Sequence, residues 1–381
     1  MIALLLTGGG ARAAYQVGVL AAIAHTLRRR SDPGHPFGIL CGTSAGALNV
    51  ATLASHPEGF LHGVLQLERI WSNFRPEQVF VADSLGLAGS TSRWLSALTL
   101  GWLTGHTPRA LLDTSPLQGL LKREIDLSQI DRHLQSGTLR AVAITASSYS
   151  SGHHYTFYSA AADCRPWQRV ERKSVRTLIT TEHLLASSAM PVLFPPVALT
   201  IDGRQQWFGD GAMRQVAPLS PAIHLGAKAV LAIGTRSGGI EATATERDKG
   251  PQPSLAQIGG HALAGLFLDS LAFDAEQLAR TNQVIRQLDP DARANSSLRD
   301  IDLLEINPSQ SIEPIALRNR RHLPWMLGKL FARVGATETH GAVMLSYLLF
   351  EQGFTNELIE LGRSDAHAMM DTILGFIDRH T

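Results

Sequence analysis

The chain has 381 residues, 44% hydrophobic and 18% charged, which fits a globular protein with a substantial core. One large domain with an appendage suits this length better than two equal domains. A formal net charge of +1 excludes a global pull toward nucleic acid or an anionic surface, and two cysteines exclude a disulfide framework.

The apolar start, Ile2-Ala3-Leu4-Leu5-Leu6, is too short for a signal peptide and has no basic flank, so it reads as the first strand. No stretch approaches the roughly 20 apolar residues of a membrane span. A soluble cytoplasmic protein is expected, with an export route that needs no cleaved leader left open. Three glycines follow, Gly8-Gly9-Gly10, then a helical pattern from Arg12 to about Arg29 with Val17, Leu20, Ala21 and Ala24 on one face. Glycines between a strand and a helix bring backbone N–H groups close to negative charge. The spacing Gly8-x-Gly10-x-x-Ala13 fits a dinucleotide fingerprint, but the acid that should close the second strand is missing. The alternative is an oxyanion hole.

The second strand, Phe37 to Cys41, runs into Gly42-Thr43-Ser44-Ala45-Gly46 and then a helical pattern, Ala45 to Ala54. This is G-x-S-x-G in a strand–turn–helix context, which pushes the serine into a strained position with its hydroxyl exposed. The following helix aims free N–H groups at the same spot. Adjacent parallel strands put the glycine loop and the serine turn at one sheet edge. The competing reading is a plain strand-to-helix turn.

A second helix is predicted from Pro57 to Phe74. Residues 83 to 107 are rich in Leu and Trp with Asp83 and Arg93 as their only charges. They read either as a core-packed helical pair or as a mobile flap that settles into a lipid interface. Thr114-Ser115-Pro116 supplies an N-cap and first-turn proline for a helix Leu117–Ile125. Leu139–Ala146 and His154–Tyr158 read as strands. His153 and His154 lack carboxylate or cysteine partners at metal-ligand spacing, so they read as strand-end histidines. Glu182–Ser188 reads as a short helix, and Met190-Pro191-Val192-Leu193-Phe194-Pro195-Pro196-Val197 as a rigid apolar wall for a site, or as plain core packing.

In Trp207-Phe208-Gly209-Asp210-Gly211-Ala212 an acid sits between two glycines, which alone suggests a turn former. Ser220-Pro221 starts a helix, Ala229–Gly234 is a buried parallel-type strand, and 236 to 254 is an exposed loop. Leu255–Leu288 is helical and Leu303–Ile306 is the last strand. Helices are predicted near Trp325–Val334, Gly341–Phe350 and Thr355–Phe376. Residues 318 to 333 are basic and amphipathic, suited to a solvated helix face or to an anionic lipid surface.

Gly8-Gly9-Gly10-Ala11-Arg12, Gly42-Thr43-Ser44-Ala45-Gly46 and Asp210-Gly211-Ala212, in this order and at these separations, resemble the patatin-like phospholipase family. Ala186-Ser187-Ser188-Ala189-Met190-Pro191 and Phe194-Pro195-Pro196 are similar to a further block of it, and the helical tail is similar to that of bacterial members. The resemblance implies an α/β three-layer sandwich with a mostly parallel sheet: a catalytic domain over 1–310 and a C-terminal helical extension over 311–381. It implies a serine lipid acyl hydrolase of phospholipase A, lysophospholipase or esterase type. Ser44 would be its nucleophile, Asp210 its partner, and Gly8, Gly9, Gly10, Ala11, Arg12 and Ala45 its oxyanion hole. Ala13 departs from the family's frequent glycine, and Asp210-Gly211-Ala212 from its D-G-G.

None of the 15 histidines lies in a comparable glycine-framed motif, so the base is expected to be a carboxylate. An apolar surround, for which Trp207, Phe208 and the Val192–Val197 wall are candidates, would raise its proton affinity. Arg12 is expected to hold the loop, with a phosphate-binding or a surface-helix role as competitors. No cofactor, metal or nucleic acid is implied; the expected partner is a phospholipid or another lipid ester, with peripheral membrane contact through 83–107 or 318–333. Nothing specifies an oligomeric state. Acyl transfer from the same acyl-enzyme, a non-catalytic lipid-binding protein and an α/β-hydrolase fold are the alternatives. The last fits poorly, because the nucleophile turn already follows the second strand.

Overall fold

The apolar opening run forms β1 (Ile2–Leu6), and all five of its side chains are buried. A strand with no polar position has two covered faces, as a central parallel strand does. The computed structural model describes residues 1–30, 35–81, 110–236, 270–322 and 342–381. Along them β1 is followed by α1 (Ala14–Arg29), β2 (Ile39–Thr43), α2 (Ala45–Ser55), α3 (Phe60–Ser72), α4 (Ser115–Glu124) and α5 (Gln129–Gln135). Then come β3 (Ala141–Ser148), β4 (His154–Ala160), β5 (Gln168–Arg169), β6 (Arg172–Arg176), α6 (Thr181–Ser187), β7 (Val197–Ile201) and β8 (Arg204–Asp210). The rest is α7 (Ser220–His224), β9 (Ala229–Ile233), α8 (Ser270–Gln287), α9 (Pro290–Asn295), β10 (Asp302–Ile306), α10 (Glu313–Asn319), α11 (Ala342–Leu348), α12 (Gln352–Ala368) and α13 (Met370–His380).

One sheet runs in the order β10-β9-β1-β2-β3-β4-β6-β5, with β8 on β3 and β7 on β8. From β10 to β3 every pairing is parallel. Strand alternation divides the core. Ile2, Leu4, Leu6, Leu40 and Leu231 pack with residues of α1, α2, α3 and the C-terminal helices, while Ala3, Leu5, Ile39, Cys41 and Val230 pack with α7 and α8. Helices thus cover both faces, giving the three-layer α/β arrangement.

The register then positions the site. β2 ends with Thr43 opposite Thr145 of β3. One residue further along β3, Ala146 is opposite Asp210 of β8. So β8 takes over the edge of β3 just where β2 leaves it.

Several boundaries differ from the sequence expectation. The first helix begins at Ala14, because Gly10–Ala13 is a 3-10 turn in which the Arg12 N–H donates to the Gly9 carbonyl at 3.1 Å. The expected helix Thr355–Phe376 is two helices, broken at Met369, where φ is −107° and ψ 8°. Thr114 occupies the N-cap of α4 without a side-chain bond; Asp113 instead accepts the Ser115 N–H at 2.8 Å. The segment 83–107, residues 323–333 of the basic segment, the helix near Trp325–Val334 and most of the loop 236–254 lie outside the described residues, as does the start of the helical stretch Leu255–Leu288. Among the described residues no helix is long and apolar enough to cross a membrane.

Candidate active site

Ser44 stands between the last residue of β2 and the first of α2, with φ 55° and ψ −128°. A non-glycine residue there is strained, and the surrounding contacts must hold it. Gly46 supplies one of them. A Cβ at that position would collide with the carbonyl oxygens of Leu6 and Thr7, so α2 starts directly against the end of β1. Ser187, at the end of α6, supplies another: its Oγ accepts the backbone N–H of Ser44 at 2.9 Å.

The Ser44 hydroxyl donates to Asp210 Oδ2 at 2.6 Å. The other carboxylate oxygen, Oδ1, accepts the N–H of Ala212 at 2.9 Å. Asp210 itself donates its N–H to the Ala189 carbonyl, tying the end of β8 to the chain after α6. Its side chain is fully buried, and burial pushes its carboxyl from the ordinary 3.8 up to about 7; the two hydrogen bonds pull the other way and lose. Phe208 is the apolar neighbour that strand alternation puts on the same side as Asp210. Trp207 faces the other way and is 38% exposed, so it is no part of that surround.

Histidine takes no part in this pair. His154 is buried and bonded to the Gly211 carbonyl, and burial pushes its pKa down to about 4. His183 is likewise pushed down to about 4, with its Nδ1 engaged by Thr180 at the start of α6. Both rings are neutral at pH 7. Among the described residues no cluster of three His, Cys, Asp or Glu could hold a metal ion.

The glycine loop lies between the serine turn and the tail. Thr235, just past β9, donates its hydroxyl to the Gly8 carbonyl at 2.8 Å and packs against Gly9. Gly10 has φ 55°, and a Cβ there would collide with the Tyr347 carbonyl oxygen. Arg12 is 1% exposed, which rules out the surface-helix reading. Its guanidinium turns away from the cleft: Nε donates to Ser346 Oγ at 2.7 Å and Nη2 to Glu313 Oε1 at 2.7 Å. No hydrogen bond among the described residues uses the N–H of Gly9, Gly10 or Ala45, whereas Arg12 spends its own on Gly9.

Gly10, Ser44 and Ala45 open onto one cleft. Its walls are mostly apolar, with Leu48, Trp71, Leu121, Met190 and Phe194 among them and Phe350 from the tail. The polar wall residue Asn49 is satisfied within the protein, donating to Gln16 Oε1 and accepting from Trp71 Nε1. Glu124, held by Arg69 and Arg123, is the one charged residue on the wall among the described residues. A hydroxyl bonded to a basic carboxylate thus faces an apolar cleft beside unused N–H groups. That geometry can attack an ester that carries an apolar chain.

The family model described as patatin-like phospholipase matches residues 4–223. The chain belongs to the patatin-like phospholipase family. Members of this family generally hydrolyse lipid esters. No curated protein matches this patatin-like chain in sequence. Among solved structures it is similar to VipD from Legionella pneumophila, with 10% identity, a TM-score of 0.31, and coverage of 99% of this chain and 67% of that one. It is also similar to human GIVD cytosolic phospholipase A2, solved with methyl gamma-linolenyl fluorophosphonate. There the identity is 14% and the TM-score 0.42, over 100% of this chain and 59% of that one. This patatin-like chain therefore spans less than two thirds of the human protein's length.

Of the residues singled out in the sequence, Ser44 and Asp210 are in contact, and Gly10 and Ala45 line the cleft together with Ser44. Gly8, Gly9, Ala11 and Arg12 are buried behind it. Met190 and Phe194 of the expected wall line the cleft, while Val192 is 61% exposed. Ser187 was visible only as part of a family block, with no hint of its bond to the nucleophile's backbone. Ser346 and Glu313 carried no signal at all.

Proposed function

We propose that this protein hydrolyses acyl esters of lipids through an acyl-enzyme on Ser44, with Asp210 as general base. The 2.6 Å bond between Ser44 Oγ and Asp210 Oδ2 is the observation that carries the reading. A carboxyl whose proton affinity lies near neutrality can accept the serine proton as Oγ attacks the ester carbonyl, and then return it to the leaving alcohol. Water, activated by the same carboxylate, releases the fatty acid. The N–H groups of Gly10 and Ala45 are the candidate donors to the tetrahedral intermediate, and the N-terminal end of α2 adds positive potential. Losing one such donor would cost ~3 kcal/mol of barrier. The apolar cleft would hold the acyl chain and exclude water from everything but the ester.

Ser44→Ala decides the matter. The variant should fold normally and lose at least ~1,000-fold in turnover of a short-chain aryl ester. Retained turnover in a folded Ser44→Ala variant would remove the nucleophile and the proposal with it.

A further inference from the structure

The glycine loop is held by residues far along the chain. Glu313 and Ser346 lie beyond residue 223, where the family match ends. Three contacts converge. The Ser346 hydroxyl donates to the Val343 carbonyl at 2.6 Å, which leaves its lone pairs for Arg12 Nε. Glu313 takes the Nη2 of the same guanidinium. Tyr347 stacks its ring on that guanidinium, 4.7 Å from its centre, while its carbonyl oxygen fills the space where Gly10 lacks a Cβ. Arg12 belongs to the same 3-10 turn, Gly10–Ala13, and its N–H bonds to the Gly9 carbonyl, so its anchored guanidinium ties the tail to the turn that carries the Gly10 N–H.

We propose that Glu313, Ser346 and Tyr347 are positioning residues that hold the Gly10 loop, through Arg12, in the orientation that receives the oxyanion; the inference rests on the acyl-hydrolase reading above. The C-terminal helical segment is then a working part of the site. It clasps the loop from behind and extends through Phe350 into the acyl cleft. A loop that is free to swing by an ångström presents its N–H at the wrong angle, and a donor out of line stabilises the transition state much less than the bound ester. Loosening the clasp should therefore lower kcat and leave KM alone.

The test compares Ser346→Ala, Glu313→Ala and Glu313→Gln with the parent protein on a short-chain aryl ester, with Ser44→Ala run in parallel. Ser346→Ala and Glu313→Ala should each lower kcat by ~10-fold or more at unchanged KM, without moving the midpoint of the acid limb of the pH profile. Glu313→Gln keeps an acceptor oxygen and should recover most of the loss. Should Ser346→Ala fail to fold, the decision passes to Glu313→Ala, whose side chain is 27% exposed. Values of kcat within about twofold of the parent, or losses that only track the folded fraction or KM, would overturn the clasp. If Ser44→Ala itself keeps its activity, the hydrolase reading fails instead, so the two failures are distinguishable.

Discussion

Two buried carboxylates in this molecule have nearly the same partners and different consequences. Asp210 accepts one hydroxyl, from Ser44, and one backbone N–H, from Ala212. Asp365 on α12 also accepts one hydroxyl, from Tyr15 on α1, and one backbone N–H, from Ser309. At the second place burial and the neighbouring acid push the Tyr15 hydroxyl well above its ordinary value, so the proton stays put and the pair acts as a clamp between the first helix and the tail. At the first it is the acid that is pushed up, to about 7. The donor there is a serine on a strained turn that opens onto a cleft. A carboxylate, a hydroxyl and an amide do not make a catalytic group by themselves. What separates the two is an apolar opening next to the hydroxyl and a backbone that holds the hydroxyl in it.

Substitutions that treat the two sites alike sharpen this contrast. Asp210→Asn should have the largest effect, lowering kcat by about 1,000-fold through loss of the base. Its stability should move the other way. Below about pH 4 the acid is protonated both in the folded and in the unfolded chain. As the pH rises, the unfolded chain, with its ordinary value of 3.8, ionises first, so the fold loses stability up to about pH 7 and holds level above. The Asn variant escapes that cost. Its unfolding free energy should exceed the parent's at pH 8 by on the order of 2–4 kcal/mol, seen as a higher melting temperature, and match it at pH 4. An equal or lower melting temperature at pH 8 would deny the raised proton affinity.

Ser187→Ala should come next. It removes the acceptor of the Ser44 N–H and relaxes the strained turn, so kcat should drop by roughly tenfold with a stability loss of about 1 kcal/mol. Unchanged turnover would reduce Ser187 to packing. Tyr15→Phe is the smallest change and the matching control on the clamp. Denaturant titration should show a loss of about 1–2 kcal/mol, since Asp365 keeps the Ser309 N–H but loses its hydroxyl, and kcat should not change. A fall in kcat alone would erase the distinction between the two carboxylates.

The centre of the fold could be read from residue order because it obeys one local rule at a time. Continuous apolar runs at Ile2–Leu6, Ile39–Cys41 and Ala229–Ile233 became the buried parallel strands. Glycines around Ser44 and Asp210 marked both turns. Elements that answer to distant partners were harder to find. β5, at the sheet edge, and β6 beside it are exposed or half-buried polar strands with no apolar alternation. The break at Met369 has neither glycine nor proline to announce it. Nothing local shows that β8 replaces β2 along β3, which is what brings Asp210 to Ser44. The contacts from Arg12 to Glu313 and Ser346 cross more than 300 positions and use common residue types, so no motif records them.

The rate of covalent modification of the nucleophile against pH is the most direct measurement, taken as stopped-flow phosphonylation by a fluorophosphonate with the modified residue located by mass spectrometry. Labelling should fall on Ser44, rise with pH through a midpoint near 7, and become slow and flat in Asp210→Asn. A label on another residue, or a rate with the same pH dependence in the parent and in Asp210→Asn, would mean that this carboxylate does not drive the chemistry.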